Sequence, residues 1–227
     1  MNLAEIMSEL EALGSERMKK YYVGQGAKEP VFGVATGAMK PIVKKTKRNQ
    51  PLAEELYATG NYDAMYLAGM VADPKSMIPA DFDRWIEKAY FHMISDFIVA
   101  VTLAETDFAQ EVADKFIADG RELVMSAGWS CYEWLIGSRK DSEFERSKLL
   151  SMLKMVEETI HSQPGRTKHA MNRFVIAVGV SYIPLHEEAL RTAERIGEVP
   201  AAYNAFLSIK KETDKGRLGF KRKNVRC

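Results

Sequence analysis

His92 and Asp96 stand four residues apart within PADFDRWIEKAYFHMISDFIVAVTLAE, residues 79–105, and so stack on one side of a helix. The carboxylate is flanked by Met93, Ile94, Phe97 and Ile98. An ionised group in such surroundings costs several kcal/mol unless it is partnered, so Asp96 needs an internal partner or a task. An imidazole and a carboxylate at this spacing make half of a metal site, but no third ligand accompanies them, and no metal is expected. The other histidines, His161, His169 and His186, are scattered. The chain has no GxSxG elbow, no HExxH and no CxxC, which argues against the common nucleophile, zinc and dithiol chemistries. Glycines 24, 26, 33 and 37 punctuate VGQGAKEPVFGVATGAMK, yet the pattern GxxxxGK[ST] is missing and no strand precedes it. That stretch reads as a connection that packs Val31 and Phe32, and no cofactor is expected.

Cations are the second candidate chemistry. Lys40, Lys44, Lys45, Lys47 and Arg48 place five positive charges in nine residues. With Pro41 in the first turn of a helix running through Asn49, Lys44, Lys47 and Arg48 share a face, as contact with a phosphate backbone would require. A solvated helix face is the alternative. Arg166, Lys168, His169 and Arg173 open a later helix, where cations oppose the helix dipole and an anionic partner would fit. Trp129, Tyr132 and Trp134 are three large aromatics in six residues; Trp129 and Tyr132 share a face, and a buried core is their plain reading.

The elements that must carry these residues are helical. Apolar side chains recur at Phe82, Trp85, Ala89, Met93, Phe97, Ala100 and Val101, predicting one long helix or two joined near Tyr90. Residues 2–22 predict an amphipathic helix that continues past Gly14. Two short helices split at Gly60 follow, then a helix from Thr106 or Asp107 to Gly120, and a pair broken at Gly128. A long helix ends at Pro164, and further helices start after it, at Pro184 and at Pro200. Ten to twelve helices with no convincing strand, paired every 35 to 45 residues, match the period of HEAT and armadillo arrays. The expected fold is an all-α solenoid of antiparallel helix pairs with a concave face, one domain over residues 1–213. Residues 214–227 form a basic tail; within it KGRLGFKRKNVRC has six basic residues, no acid and an interleaved Phe220. Such a tail reads as a mobile, solubilising end or as a nucleic-acid contact that orders on binding.

Composition narrows the setting. The chain has 227 residues, 46% of them hydrophobic, with 32 Lys and Arg against 31 Asp and Glu, so any affinity for nucleic acid must come from how charge is distributed. Cys131 and Cys227 fit neither a disulfide framework nor a zinc site. The N-terminus MNLAEIMSELEAL lacks the pattern of a secretory signal, and no apolar run is long enough to span a membrane. A cytoplasmic monomer is expected.

The motifs FGVATGAMKPIVKK, PLAEELYATGNYDAMYLAGMVADP, DRWIEKAYFHMISD, SAGWSCYEWL and KHAMNRFVIAVG, in this order, resemble the bacterial DNA alkylation-repair proteins of the AlkD family, HEAT-like glycosylases acting on N3- and N7-alkylated purines. The likeness spans most of the chain. It implies alkylated double-stranded DNA as partner, held by its backbone at Lys44, Lys47, Arg48, Arg166 and Lys168. The family's catalytic carboxylate lies in W-x-x-x-D; its aspartate falls on Asp96 and its tryptophan on His92. Trp129 matches the first residue of W-x-x-R, and Tyr132 stands at the arginine; a later tryptophan falls on Arg173 or Phe174. The resemblance thus implies Asp96 and His92 as catalytic, and Trp129, Tyr132, Arg173 and Phe174 as substrate-binding. An alkylated purine is a good leaving group, so a carboxylate that stabilises the oxocarbenium-like sugar and accepts a proton from water would complete hydrolysis. The alternative is a non-catalytic relative that binds DNA or a protein through the same face.

Overall fold

The computed structural model describes residues 1–225. Cys227, and Arg226 of the basic tail, lie outside the described residues. The described chain is built of helices joined by loops and divides into two compact units, the first ending at Thr106 and the second starting at Asp107.

In the first unit, α1 (Leu3–Leu13) begins in a capping box between Asn2 and Glu5. The Ser15 hydroxyl then accepts the Met18 N–H and opens α2 (Glu16–Gly24), so the single helix expected over 2–22 is two. The glycine-rich stretch that follows is an ordered connection. Asp63, fully buried, accepts the N–H groups of Phe32, Gly33 and Val34 at 2.6, 3.1 and 2.7 Å, and Val31 is buried beside them. Three backbone donors stabilise that charge inside the unit.

Helix α3 (Lys40–Thr46) is shorter than its sequence suggests. The Thr46 hydroxyl donates back to the Ile42 carbonyl, Lys47 adopts φ +55°, and Asn49 caps α4 (Gln50–Ala58) by accepting the Leu52 N–H. The chain must leave helical geometry before Asn49 to form that cap, so Lys47 and Arg48 do not continue the face of Lys44. The next helices are α5 (Tyr62–Val71) and α6 (Pro79–Lys88). Trp85 on α6 stacks on Tyr57 of α4, centroids 4.3 Å apart, and its carbonyl accepts the Tyr57 hydroxyl at 2.7 Å.

The chain is extended at Ala89 and Phe91, so the central stretch is two helical segments joined at Tyr90, as its pattern allows. The second segment is not uniform. A single α-turn, α7 (His92–Ile94), leads into a π turn, Ser95–Val99, in which the Ala100 N–H reaches the Ser95 carbonyl; α8 (Ala100–Ala104) follows. Ile98 of this turn fills the space over Gly69 of α5, where an added Cβ would lie 2.5 Å from its methyl group.

The second unit contains α9 (Ala109–Ile117), α10 (Glu122–Ser138), α11 (Arg146–Thr159), α12 (Gly165–Ser181), α13 (His186–Ile196) and α14 (Ala205–Asp214). Helix α10 packs on α9 and α12, and α12 on α13 and α14. The break expected at Gly128 is absent. Gly128 is buried mid-helix, and a Cβ there would meet the Ala113 carbonyl oxygen at 2.7 Å, so this glycine lets α9 and α10 touch.

Beyond α14 the tail is docked through Arg222, which corrects the expectation of a mobile end. The Gly219 N–H donates to Val180, the Arg222 N–H to Gly137 and the Lys221 ammonium to Ile136, each at 2.7 Å. These carbonyls lie in the last turns of α12 and α10, where no helical N–H remains to satisfy them. Lys221 adds a cation at the negative end of α10 and an ion pair with Asp141 at 2.8 Å.

Candidate functional site

Asp96 is the second residue of the π turn and is 0% exposed. The Ser95 hydroxyl, equally buried, donates to Asp96 Oδ1 at 2.8 Å. His92 is half-buried, with its ring edge-on to Phe91 at 4.4 Å. The wider closure of the π turn shifts the register of the residues that follow Ser95. Neighbouring residues are apolar and buried: Ile94, Ile98 and Val99.

Trp129, Tyr132 and Phe174 come together in the second unit as one buried cluster. Phe174 meets Trp129 edge-on at 5.1 Å and Tyr132 at 6.3 Å. The Tyr132 hydroxyl donates to Asp114 Oδ1 at 2.6 Å, and Lys148 donates to the other oxygen of that carboxylate at 2.6 Å. Burial, and then the hydrogen bond to Asp114, push the Tyr132 phenol well above the ordinary tyrosine value. Arg173 is only partly exposed; its Nη2 donates to Ser130 at 2.9 Å, and its Nε lies 2.9 Å from Glu133 as an ion pair without hydrogen-bond alignment.

The cations separate into held and open ones. Arg48 pairs with Glu105 at 2.8 Å and Asp73 at 3.8 Å, and Lys45 with Glu9 at 3.3 Å. Lys40, Lys44 and Lys47 are exposed and, among the described residues, have no acidic partner. Lys168 is half-buried on α12, likewise without an acidic partner among the described residues. The start of α12 already has its anion: Glu122 Oε1 accepts the Arg166 N–H at 2.7 Å, and the Glu122 carbonyl accepts the Thr167 hydroxyl at 3.2 Å. The anionic partner suggested by the sequence is internal.

A model of the DNA alkylation repair enzyme family matches residues 6–205. The chain belongs to that family. Within the DNA alkylation repair enzyme family it is similar to an uncharacterized protein of Listeria innocua, 28% identical over 201 residues, and to one of Listeria monocytogenes, 26% identical over 201 residues; each alignment covers 86% of both chains. A solved structure is 62% identical and superposes with a TM-score of 0.94 over 100% of each chain. It represents a new family of proteins related to the HEAT-like repeat DNA glycosylases, with affinity for branched DNA structures. The expected all-α, HEAT-like fold is therefore the fold of this family member.

Sequence reasoning did not anticipate the π turn, the Asp63 clamp or the docked tail. The clamp had a signal in Asp63 itself, an acid in the otherwise apolar YDAMYLAGMV. The tail had a fainter one in Gly137 of α10, which lies against the Arg222 side chain.

Proposed function

We propose that this protein binds branched DNA through the sugar–phosphate backbone and does not excise bases. One observation carries the reading: Asp96, the carboxylate that the resemblance sets at the family's catalytic position, is 0% exposed and hydrogen-bonded to Ser95. A group that activates water and faces a sugar cation must come within about 3 Å of both, which a sealed side chain does not do. The surrounding departures point the same way. By the resemblance, His92 stands at the family's tryptophan, and Tyr132, at its arginine, spends its hydroxyl on the half-exposed Asp114. Exposed Lys40, Lys44 and Lys47 supply the cations that phosphate contact needs, and the 62% identical relative has affinity for branched DNA.

The family's description as repair enzymes favours a second reading, base excision from alkylated duplex with Asp96 essential. One experiment separates the two. Purified protein is titrated onto a labelled four-way junction and onto a duplex of the same sequence, and the same preparation is incubated with methylated DNA while released bases are quantified. Tight junction binding without base release is the expected result. Release that disappears in Asp96→Asn would establish excision instead.

A further inference from the structure

In the second unit, α10, α12, α14 and the docked tail enclose a groove of about 700 Å³. Its apolar side is formed by Ile176, Ala177 and Val180 of α12. Two aromatic rings line it while standing largely in solvent, Tyr203 at 80% exposure and Phe220 at 62%. Core packing does not use either ring. Arg222 completes the lining, its guanidinium 4.5 Å above the Trp134 ring and its backbone N–H fixed to the Gly137 carbonyl. The two acids of the groove are already engaged, Glu133 with Arg173 and Glu212 with Arg217 and Lys215. Arg222 has no acidic partner among the described residues. A pinned, uncompensated cation beside two open aromatic faces and an apolar floor is the combination that holds a phosphate and stacks the adjoining base.

We propose that this groove binds unpaired nucleotides, the single-stranded DNA exposed where duplex arms separate. The proposal rests on the DNA-binding reading above and adds a site to it. Paired bases keep their faces covered by their neighbours, so Tyr203 and Phe220 act on DNA only where stacking is already broken.

The test compares a fluorescein-labelled forked DNA carrying oligothymidine arms with a blunt duplex of the same stem. The full chain is titrated beside Tyr203→Ala, the double variant Tyr203→Ala/Phe220→Ala, and Arg222→Ala. The double variant is expected to lose about tenfold in affinity for the fork and little for the duplex. Fork arms carrying 4-thiothymidine should photocrosslink to the second unit at or beside Tyr203 or Phe220, a readout on unaltered protein that holds even should a variant fold poorly. Equal losses on fork and duplex, undiminished fork binding by the double variant, or crosslinks confined to other surfaces would each overturn the proposal. If the unaltered protein binds neither DNA, the DNA-binding reading falls with it. If it binds the fork and the variants match it, only the groove is rejected.

Discussion

Ser95 donates its hydroxyl to the carboxylate of Asp96 at 2.8 Å, and both side chains are removed from solvent. Adjacent residues on a regular helix point about 100° apart and rarely meet in this way. The π turn that contains both sets the local geometry, and Ile98, fitted over Gly69, holds the turn against α5. The acid is therefore part of the packing of the first unit. Asp96→Asn is expected to destabilise the protein by about 1–3 kcal/mol, read as a lower urea midpoint at unchanged slope. A carboxylate kept for catalysis behaves oppositely, and a neutral or stabilising Asp96→Asn would remove the structural account.

Gly128 gives a second stability test. Alanine is favoured over glycine in a helix by about 1 kcal/mol, so propensity alone predicts that Gly128→Ala stabilises α10. The added Cβ would lie 2.7 Å from the Ala113 carbonyl and 2.9 Å from the Ile117 amide, both backbone atoms. Pushing α9 away is expected to outweigh propensity, with a net loss of about 1–3 kcal/mol in chemical denaturation.

These two positions also mark how far the letters of the sequence reach. Helix content, the turn at Gly60 and the join at Tyr90 follow from local periodicity and helix breakers, and the structure has them. Gly128 was readable as a break because local propensity carries no information about the neighbouring helix whose approach it permits. Lys44, Lys47 and Arg48 share a face only if α3 continues, and the Asn49 cap of the next helix stops it at Thr46. Asp96 is legible as an acid in apolar company, but its complete burial is set by the helices packed around it, which no spacing rule along one segment encodes.

High pH should weaken the fold in a defined window. Burial raises the phenols of Tyr57, Tyr62 and Tyr132 above the ordinary value, and pushes that of Tyr90 up to about 12. In the unfolded chain these groups ionise near pH 10, roughly the value of a free tyrosine, so above it the unfolded state sheds protons that the folded state keeps. Their contribution is fully present below about pH 10 and declines as pH rises past it. Urea midpoints measured from pH 8 to about pH 11.5 should be level at first and then fall, and Tyr132→Phe should fall less steeply. A midpoint that stays level throughout would contradict the assignment.

Glu122 tests whether the start of α12 is an internal cap or an open anion site. Its carboxylate occupies the Arg166 N–H, so Glu122→Ala is expected to lower stability by about 0.5–2 kcal/mol while leaving DNA affinity nearly unchanged. Tighter DNA binding by the variant would show that Glu122 was occupying a phosphate position.

The open and held cations of the first unit should separate in salt titrations. Lys44 and Lys47 have no acidic partner among the described residues, whereas Arg48 faces Glu105 and Asp73. Each phosphate contact contributes about 0.9 to the slope of log K against log salt, so Lys44→Ala with Lys47→Ala should reduce that slope by nearly two. The loss should be similar on junction and duplex, because a backbone contact carries no information about branching. Arg48→Ala releases two carboxylates near the same surface while removing a charge they already offset. Its effect on DNA is therefore indirect, a weaker affinity from the exposed acids and a slope changed by less than one contact. If Arg48→Ala lowers the slope as much as the lysine pair does, the ion pairs with Glu105 and Asp73 give way on binding, and Arg48 belongs among the phosphate contacts after all.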